Sequence, residues 1–170
     1  MGPAGTWPQG GTIVLLRFLC ALVLPIACLT TLARADFETG MAAYHRGDYA
    51  TALHEWQPLA MQGDAIAQER LGSLYHSGQG VHQDYVQARL WYERAAARGS
   101  APAHVNLGRL YEFGHGVRQD IILAYKWYLL GAAHGDSLGA ELGDALAKRM
   151  TPAQLFRAQQ RVREWKPTTK

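Results

Sequence analysis

Between residues 65 and 136 the apolar positions recur on a helical spacing, and the whole pattern occurs twice. Leu71, Leu74 and Tyr75 are separated by steps that place them on one face of an α-helix. Leu107, Leu110 and Tyr111 repeat that stripe 36 positions later. Setting residues 65–100 over 101–136 without a gap leaves 17 of 36 positions identical. Self-similarity at that period is the mark of a stacked-repeat architecture. Each unit reads as two helices. Helix A spans about 65–77 and again 101–113, and the loops Gly78-Gln79-Gly80 and Gly114-His115-Gly116 break it, because glycine tolerates the positive φ of a reversal. Helix B follows Asp84 and Asp120, which stand where an N-cap accepts bonds from the free N–H groups of the first turn.

The caps test the period independently. Asp48, Asp84 and Asp120 lie 36 apart and precede three B helices. Asp64, Ser100 and Asp136 keep the same interval before three A helices, each preceded by a glycine (Gly63, Gly99, Gly135) suited to ending the helix before it. Gly72 and Gly108 fall inside helix A, where glycine costs about 1 kcal/mol relative to alanine. Their presence implies close approach of the paired helix. Trp91-Tyr92 and Trp127-Tyr128, followed by Ala96-Ala97 and Ala132-Ala133, set large residues against small ones and read as core.

Toward both ends the pattern degrades, as solenoid termini do. Residues 36–64 match a helix pair with a shortened loop, with Tyr44, Asp48, Tyr49 and Ala52 mirroring Tyr75, Asp84, Tyr85 and Ala88. Residues 137–170 supply a further A-like helix to about Met150, then a capping box, Thr151-Pro152-Ala153-Gln154, opening a polar last helix through Trp165. Arg157, Arg161, Arg163 and Glu164 suit an end cap that faces water.

The run A-x-A-x-x-x-L-G-x-L-Y-x-x-G-x-G-V-x-Q-D, present at Ala65–Asp84 and Ala101–Asp120, followed by A-x-x-W-Y-x-x-x-A-A-x-x-G, resembles the Sel1-like repeats, relatives of tetratricopeptide repeats. The resemblance implies an all-α fold, a short right-handed α/α solenoid of helix pairs closed by a C-terminal capping helix. It also implies an adaptor whose concave face, lined by the A helices, holds a protein or peptide. Some secreted relatives carry a disulfide in each repeat and are linked to β-lactam binding. This chain has no cysteine in any repeat, so that ligand does not carry over.

The first 35 residues read differently. Arg17, the apolar stretch from Phe18 to Leu32 and Ala33-Arg34-Ala35 have the layout of a secretory signal cleaved before Asp36. A retained anchor is the alternative, although an uninterrupted run of about 15 apolar residues falls short of the roughly 20 a spanning helix needs. A lipoprotein signal ending at Cys28 is a third reading, with Pro25-Ile26-Ala27 a poor lipobox. Cleavage would remove both cysteines, Cys20 and Cys28, and lower the net charge from +3 to +1, with 15 basic against 14 acidic residues. That balance gives no reason to expect nucleic acid, and the expected location is the periplasm or the exterior.

No G-x-S-x-G elbow, phosphate loop, dinucleotide fingerprint or H-E-x-x-H occurs. Seven histidines (His45, His54, His76, His82, His104, His115, His134) are spread singly, and only His76, His82 and His115 could meet at one loop edge. Neither a metal, a cofactor nor catalysis is expected. The expected role is a non-enzymatic scaffold in the cell envelope; an envelope enzyme or small-ligand protein acting on cell-wall material is the alternative.

Two surfaces are candidates for the partner. Opposite the buried register of helix A lie Glu69, Ser73 and His76, then Val105, Arg109 and Glu112 in the next unit, and Glu38, Ala42 and His45 in the first. Val105 and Phe113 would flank that polar track as apolar contacts. On helix B, Gln87, Arg89, Glu93 and Arg94 become Leu123, Tyr125, Leu129 and Leu130 one repeat later. That apolar face either receives the C-terminal helix or is itself a partner or dimer surface. Terminal sequencing of the exported protein is expected to begin at or near Asp36. Recovery of residues between Gly2 and Leu24 from the folded protein would overturn the signal reading.

Overall fold

The computed structural model describes residues 36–167, and among them every regular element is an α-helix. α1 covers residues 36–45, α2 Tyr49–Met61, α3 Ala65–Ser77, α4 Tyr85–Ala97, α5 Ala101–Phe113, α6 Ile121–Ala133, α7 Ser137–Ala147 and α8 Pro152–Glu164. Helices pack chiefly on their neighbours in the chain, with α8 folding back on α6 and α5 also meeting α7. This is the helical solenoid the sequence predicts. The expected signal segment lies outside the described residues.

All six periodic caps are in place. Asp48, Asp64, Asp84, Ser100, Asp120 and Asp136 each accept a bond from a first-turn N–H, and each such cap contributes about 1 kcal/mol. The A-to-B loops have a second job. Gly80, at φ 73°, lies so close to Tyr49 at the start of α2 that a Cβ would sit 2.7 Å from its carbonyl carbon. Gly116 meets Tyr85 at the start of α4 in the same way, with a Cβ 2.6 Å from the Tyr85 Cβ. Each loop is thus seated on the B helix of the preceding unit.

Gly72 and Gly108 are indeed sites of close approach, but to a ring rather than a backbone. A Cβ on Gly72 would lie 2.5 Å from the ring of Tyr92, and one on Gly108 would overlap Tyr128. Gly40 faces Trp56 similarly in the first pair. The core follows this rhythm. Trp56 packs with Leu59, Leu71 and Leu74, Tyr92 with Leu107 and Leu110, and Tyr128 with Val105, Leu146 and Met150. Trp91 and Trp127 are only half-buried, and each lies under a cation, Arg94 or Lys126.

The C-terminal segment departs from expectation at its helix ends. α7 stops at Ala147 instead of near Met150, because Pro152 disfavours helical geometry in the residue before it and Thr151 must start a new helix in extended backbone. The Thr151–Gln154 capping box forms. Tyr125 and Leu129 of α6 share a cluster with Leu155 and Ala158 of α8, so that part of the apolar face of α6 is covered from within the chain, while Leu123 lines an open hollow. Trp165, where α8 ends in extended backbone, brings its edge onto His104 at 5.3 Å between ring centroids.

His104 is fully buried in α5, its Nδ1–H donating to the Ser100 carbonyl at 2.8 Å and its ring stacked on His134 at 4.8 Å. Its Nε2 has no hydrogen-bond partner among the described residues. Burial, then the neighbouring His134, push the imidazole down to about 4 with a smaller part from Lys126, while the hydrogen bond to the Ser100 carbonyl acts in the opposite direction. The unfolded chain therefore takes up a proton on this residue at higher pH than the folded one. The stability of the neutral form is fully present above about pH 6.5 and is lost as pH falls toward 4, by up to about 3 kcal/mol. Melting followed across that window should show the loss, and His104→Leu should flatten it.

Candidate functional site

The polar chemistry of the A-helix face is set by the two core tyrosines. Each enters from a B helix, lies across a helix A glycine, and carries its hydroxyl through to the far side. Tyr92 Oη stands 3.2 Å from Ser73 Oγ, and Ser73 Oγ donates to Glu69 Oε1 at 3.0 Å. Asn106 Nδ2 donates to the same oxygen at 3.2 Å, across the junction of α3 and α5. With Ser73 oriented toward the carboxylate, the tyrosine hydroxyl is the donor to Ser73. Tyr128 Oη donates to Glu112 Oε2 at 2.7 Å, and Arg149 Nη1 to Glu112 Oε1 at 3.0 Å. Burial, with the nearby carboxylates, raises both phenols above their ordinary range, so both stay protonated donors.

The residues expected to form one track separate into two groups. Glu69 is only 7% exposed and is consumed with Ser73 in the internal network. Val105, expected as an apolar flank, is 2% exposed and packs against Gly131 of α6, which makes it core. The reason is the close approach of α6, where a Cβ on Gly131 would lie 2.9 Å from the Val105 side chain. Gly131 leaves room for the Val105 methyl, a contact that helical spacing alone does not reveal.

His76, Arg109, Glu112 and Phe113 do converge. With His115, Tyr128 and Leu142 they line a pocket of about 280 Å³ where α3, α5 and α7 meet. Arg109 is exposed and has no carboxylate partner among the described residues, and Phe113 is 60% exposed. His115 stacks on Tyr85 at 4.6 Å, lies 6.2 Å from His76 and 5.8 Å from Phe113 between ring centroids. Burial, then the charges of His115 and Arg109, lower the His76 imidazole below its ordinary range. His82, the third histidine of the expected loop edge, is exposed and makes no ring contact with the other two. No group of three metal-ligating residues occurs among the described residues.

Tyr128, Leu142 and Arg149 were not in the sequence-derived set. The signal for Tyr128 was present in the 20-residue spacing of Gly72 to Tyr92 and Gly108 to Tyr128. Nothing in the sequence joins Arg149 to Glu112, which are 37 residues apart. Larger hollows, of about 610, 710 and 650 Å³, lie elsewhere among the described residues, one beside Leu90 and Arg94, one beside Ile122 and Leu123, and one at the loop of Gly78 and His82. None of them brings the A-helix polar residues together.

The Sel1 repeat model matches residues 65–100 and 101–136. Among solved structures, the chain is similar to a protective antigen present in uropathogenic Escherichia coli strains that displays an SLR fold, with 29% identity and a TM-score of 0.73, covering 78% of this chain and 29% of that one. It is also similar to a Sel1 repeat protein from Oxalobacter formigenes, with 32% identity and a TM-score of 0.62, covering 65% of this chain and 45% of that one. The chain thus spans less than half the length of either structure. No curated protein matched. These findings define the class, an all-helical repeat solenoid, and within it the chain carries two Sel1 repeats. Proteins built from such repeats generally mediate protein–protein interactions.

The glycine–tyrosine contact couples stability to the site. In an open helix Gly→Ala adds about 1 kcal/mol of stability. Gly108→Ala should instead destabilise by about 1–3 kcal/mol, because the methyl overlaps the Tyr128 ring. Tyr128→Phe should cost about 1.5–3 kcal/mol, the value of one hydrogen bond to a charged acceptor. Denaturant melts of the two variants measure both.

Proposed function

We propose that this protein is a non-enzymatic scaffold of the cell envelope, holding a protein or peptide partner along the A-helix face of its solenoid. The observation that carries the reading is the pocket at the α3–α5–α7 junction, where an exposed guanidinium without a carboxylate partner among the described residues stands beside an exposed aromatic ring. Arginine and aromatic residues are the types that anchor protein interfaces, the first through directed donors and the second through area. The other polar groups of that face, Glu69, Ser73 and Glu112, already bond one another or core tyrosines, which leaves Arg109 and Phe113 to meet a ligand. The envelope location rests on the signal-like layout of the first 35 residues. None of the described helices is long and apolar enough to cross a membrane.

Affinity capture from envelope extract, followed by titration of the purified partner, tests the reading. Arg109→Ala should leave the melting temperature nearly unchanged, because the side chain is exposed and outside the core. It should weaken partner binding by about 1–2 kcal/mol, the range of an interface residue that is not a dominant anchor. Unchanged binding would remove the groove as the docking site.

A further inference from the structure

We propose that the α3–α5–α7 pocket takes an acidic segment of a partner polypeptide, with a Glu or Asp side chain on Arg109 between His76 and His115 and an adjacent apolar side chain on Phe113 and Leu142. This rests on the groove reading above and names the chemistry of what the groove holds.

Charge gives the first argument. Among the pocket's fixed charges, Glu112 is already ion-paired with Arg149 at 3.0 Å and accepts a hydrogen bond from the Tyr128 hydroxyl at 2.7 Å. Arg109 keeps its positive charge without a counter-ion among the described residues. Two imidazoles, His76 and His115, lie within 6.2 Å of each other at the same pocket, and a carboxylate between them would meet donors on both sides. Shape gives the second. Phe113 and Leu142 line the same pocket, so an anion bound there has an apolar wall alongside it, which a residue next to Glu or Asp would cover.

The histidines add a proton linkage. His76 is held below its ordinary range by burial, His115 and Arg109, and is therefore neutral at pH 7 in the free protein. A carboxylate favours the charged imidazole, so binding takes up protons and tightens as pH falls from 7.5 to 6. The other groups facing this pocket do not cancel the effect. They are the phenols of Tyr85 and Tyr128, the guanidinium groups of Arg109 and Arg149, and Glu112, which is already paired.

The test is an NMR titration of the purified protein with N-acetyl-glutamyl-phenylalaninamide and with its glutaminyl counterpart, read at the His76 and His115 ring resonances. The glutamyl peptide should bind about tenfold more tightly, equivalent to about 1.4 kcal/mol. Its affinity should rise by about threefold from pH 7.5 to pH 6 as the His76 imidazole takes up a proton. Arg109→Gln should erase the preference for the glutamyl peptide. Arg149→Ala, which uncovers the Glu112 charge, should weaken the glutamyl peptide and leave the glutaminyl one unchanged. Equal affinity for the two peptides, or ring resonances that stay still, would overturn the proposal. N-acetyl-phenylalanine binding as tightly as the glutamyl peptide would also overturn it, by assigning the site to a chain-terminal carboxylate. The groove reading fails separately, when Arg109→Ala leaves the captured partner's affinity untouched.

Discussion

The contact between a helix A glycine and a helix B tyrosine governs this molecule. At Gly72 and Gly108 the missing Cβ lets the rings of Tyr92 and Tyr128 lie directly on the A-helix backbone. Both rings are almost fully buried, so the pair sets the spacing of the two helices in each repeat. The geometry also has a chemical consequence. A ring that crosses the helix pair at this depth delivers its hydroxyl to the opposite face, where it meets Ser73 in one repeat and Glu112 in the next. Core packing and surface polarity are therefore one arrangement.

Two units with the same frame use it differently. In the first, Tyr92, Ser73, Glu69 and Asn106 close into an internal network that ties α3 to α5. In the second, the position of Ser73 is taken by Arg109 and that of Glu69 by Val105. The acid moves to Glu112, where His76 stood one repeat earlier, and its charge is met from Arg149 beyond α7. An arginine is thereby left exposed at a junction where aromatic and imidazole rings gather. The repeat supplies the scaffold, and the substitutions between repeats supply the site.

The C-terminal end serves this arrangement. α8 covers part of the apolar face of α6, so Tyr125 and Leu129, which replace charged residues of the previous repeat, pack with Leu155 and Ala158 inside the chain. Trp165 then lies against His104 and Trp127, burying an imidazole whose Nε2 stays without a hydrogen-bond partner among the described residues. A neutral histidine in that setting is compatible with stability near neutral pH and opposes folding in acid.

What the sequence determined was everything local or periodic. Caps, glycine stops, the 36-residue period and the two-helix unit are each fixed by neighbours within a few residues or by the repeat itself, and all are legible in the sequence. The likeness of Gly72 to Gly108 even marked the close approach, although not that a ring rather than a backbone fills it. Tertiary structure decided what depends on the angle between helices. Helical spacing put Glu69 and Val105 on the same stripe as Arg109, yet the neighbouring helices buried the first two and left the third exposed. The pairing of Glu112 with Arg149 needed the turn after α7 to bring together residues 37 apart. Periodicity assigns a residue to a face of its own helix, and only the packing of the next helix decides how much of that face remains open to solvent.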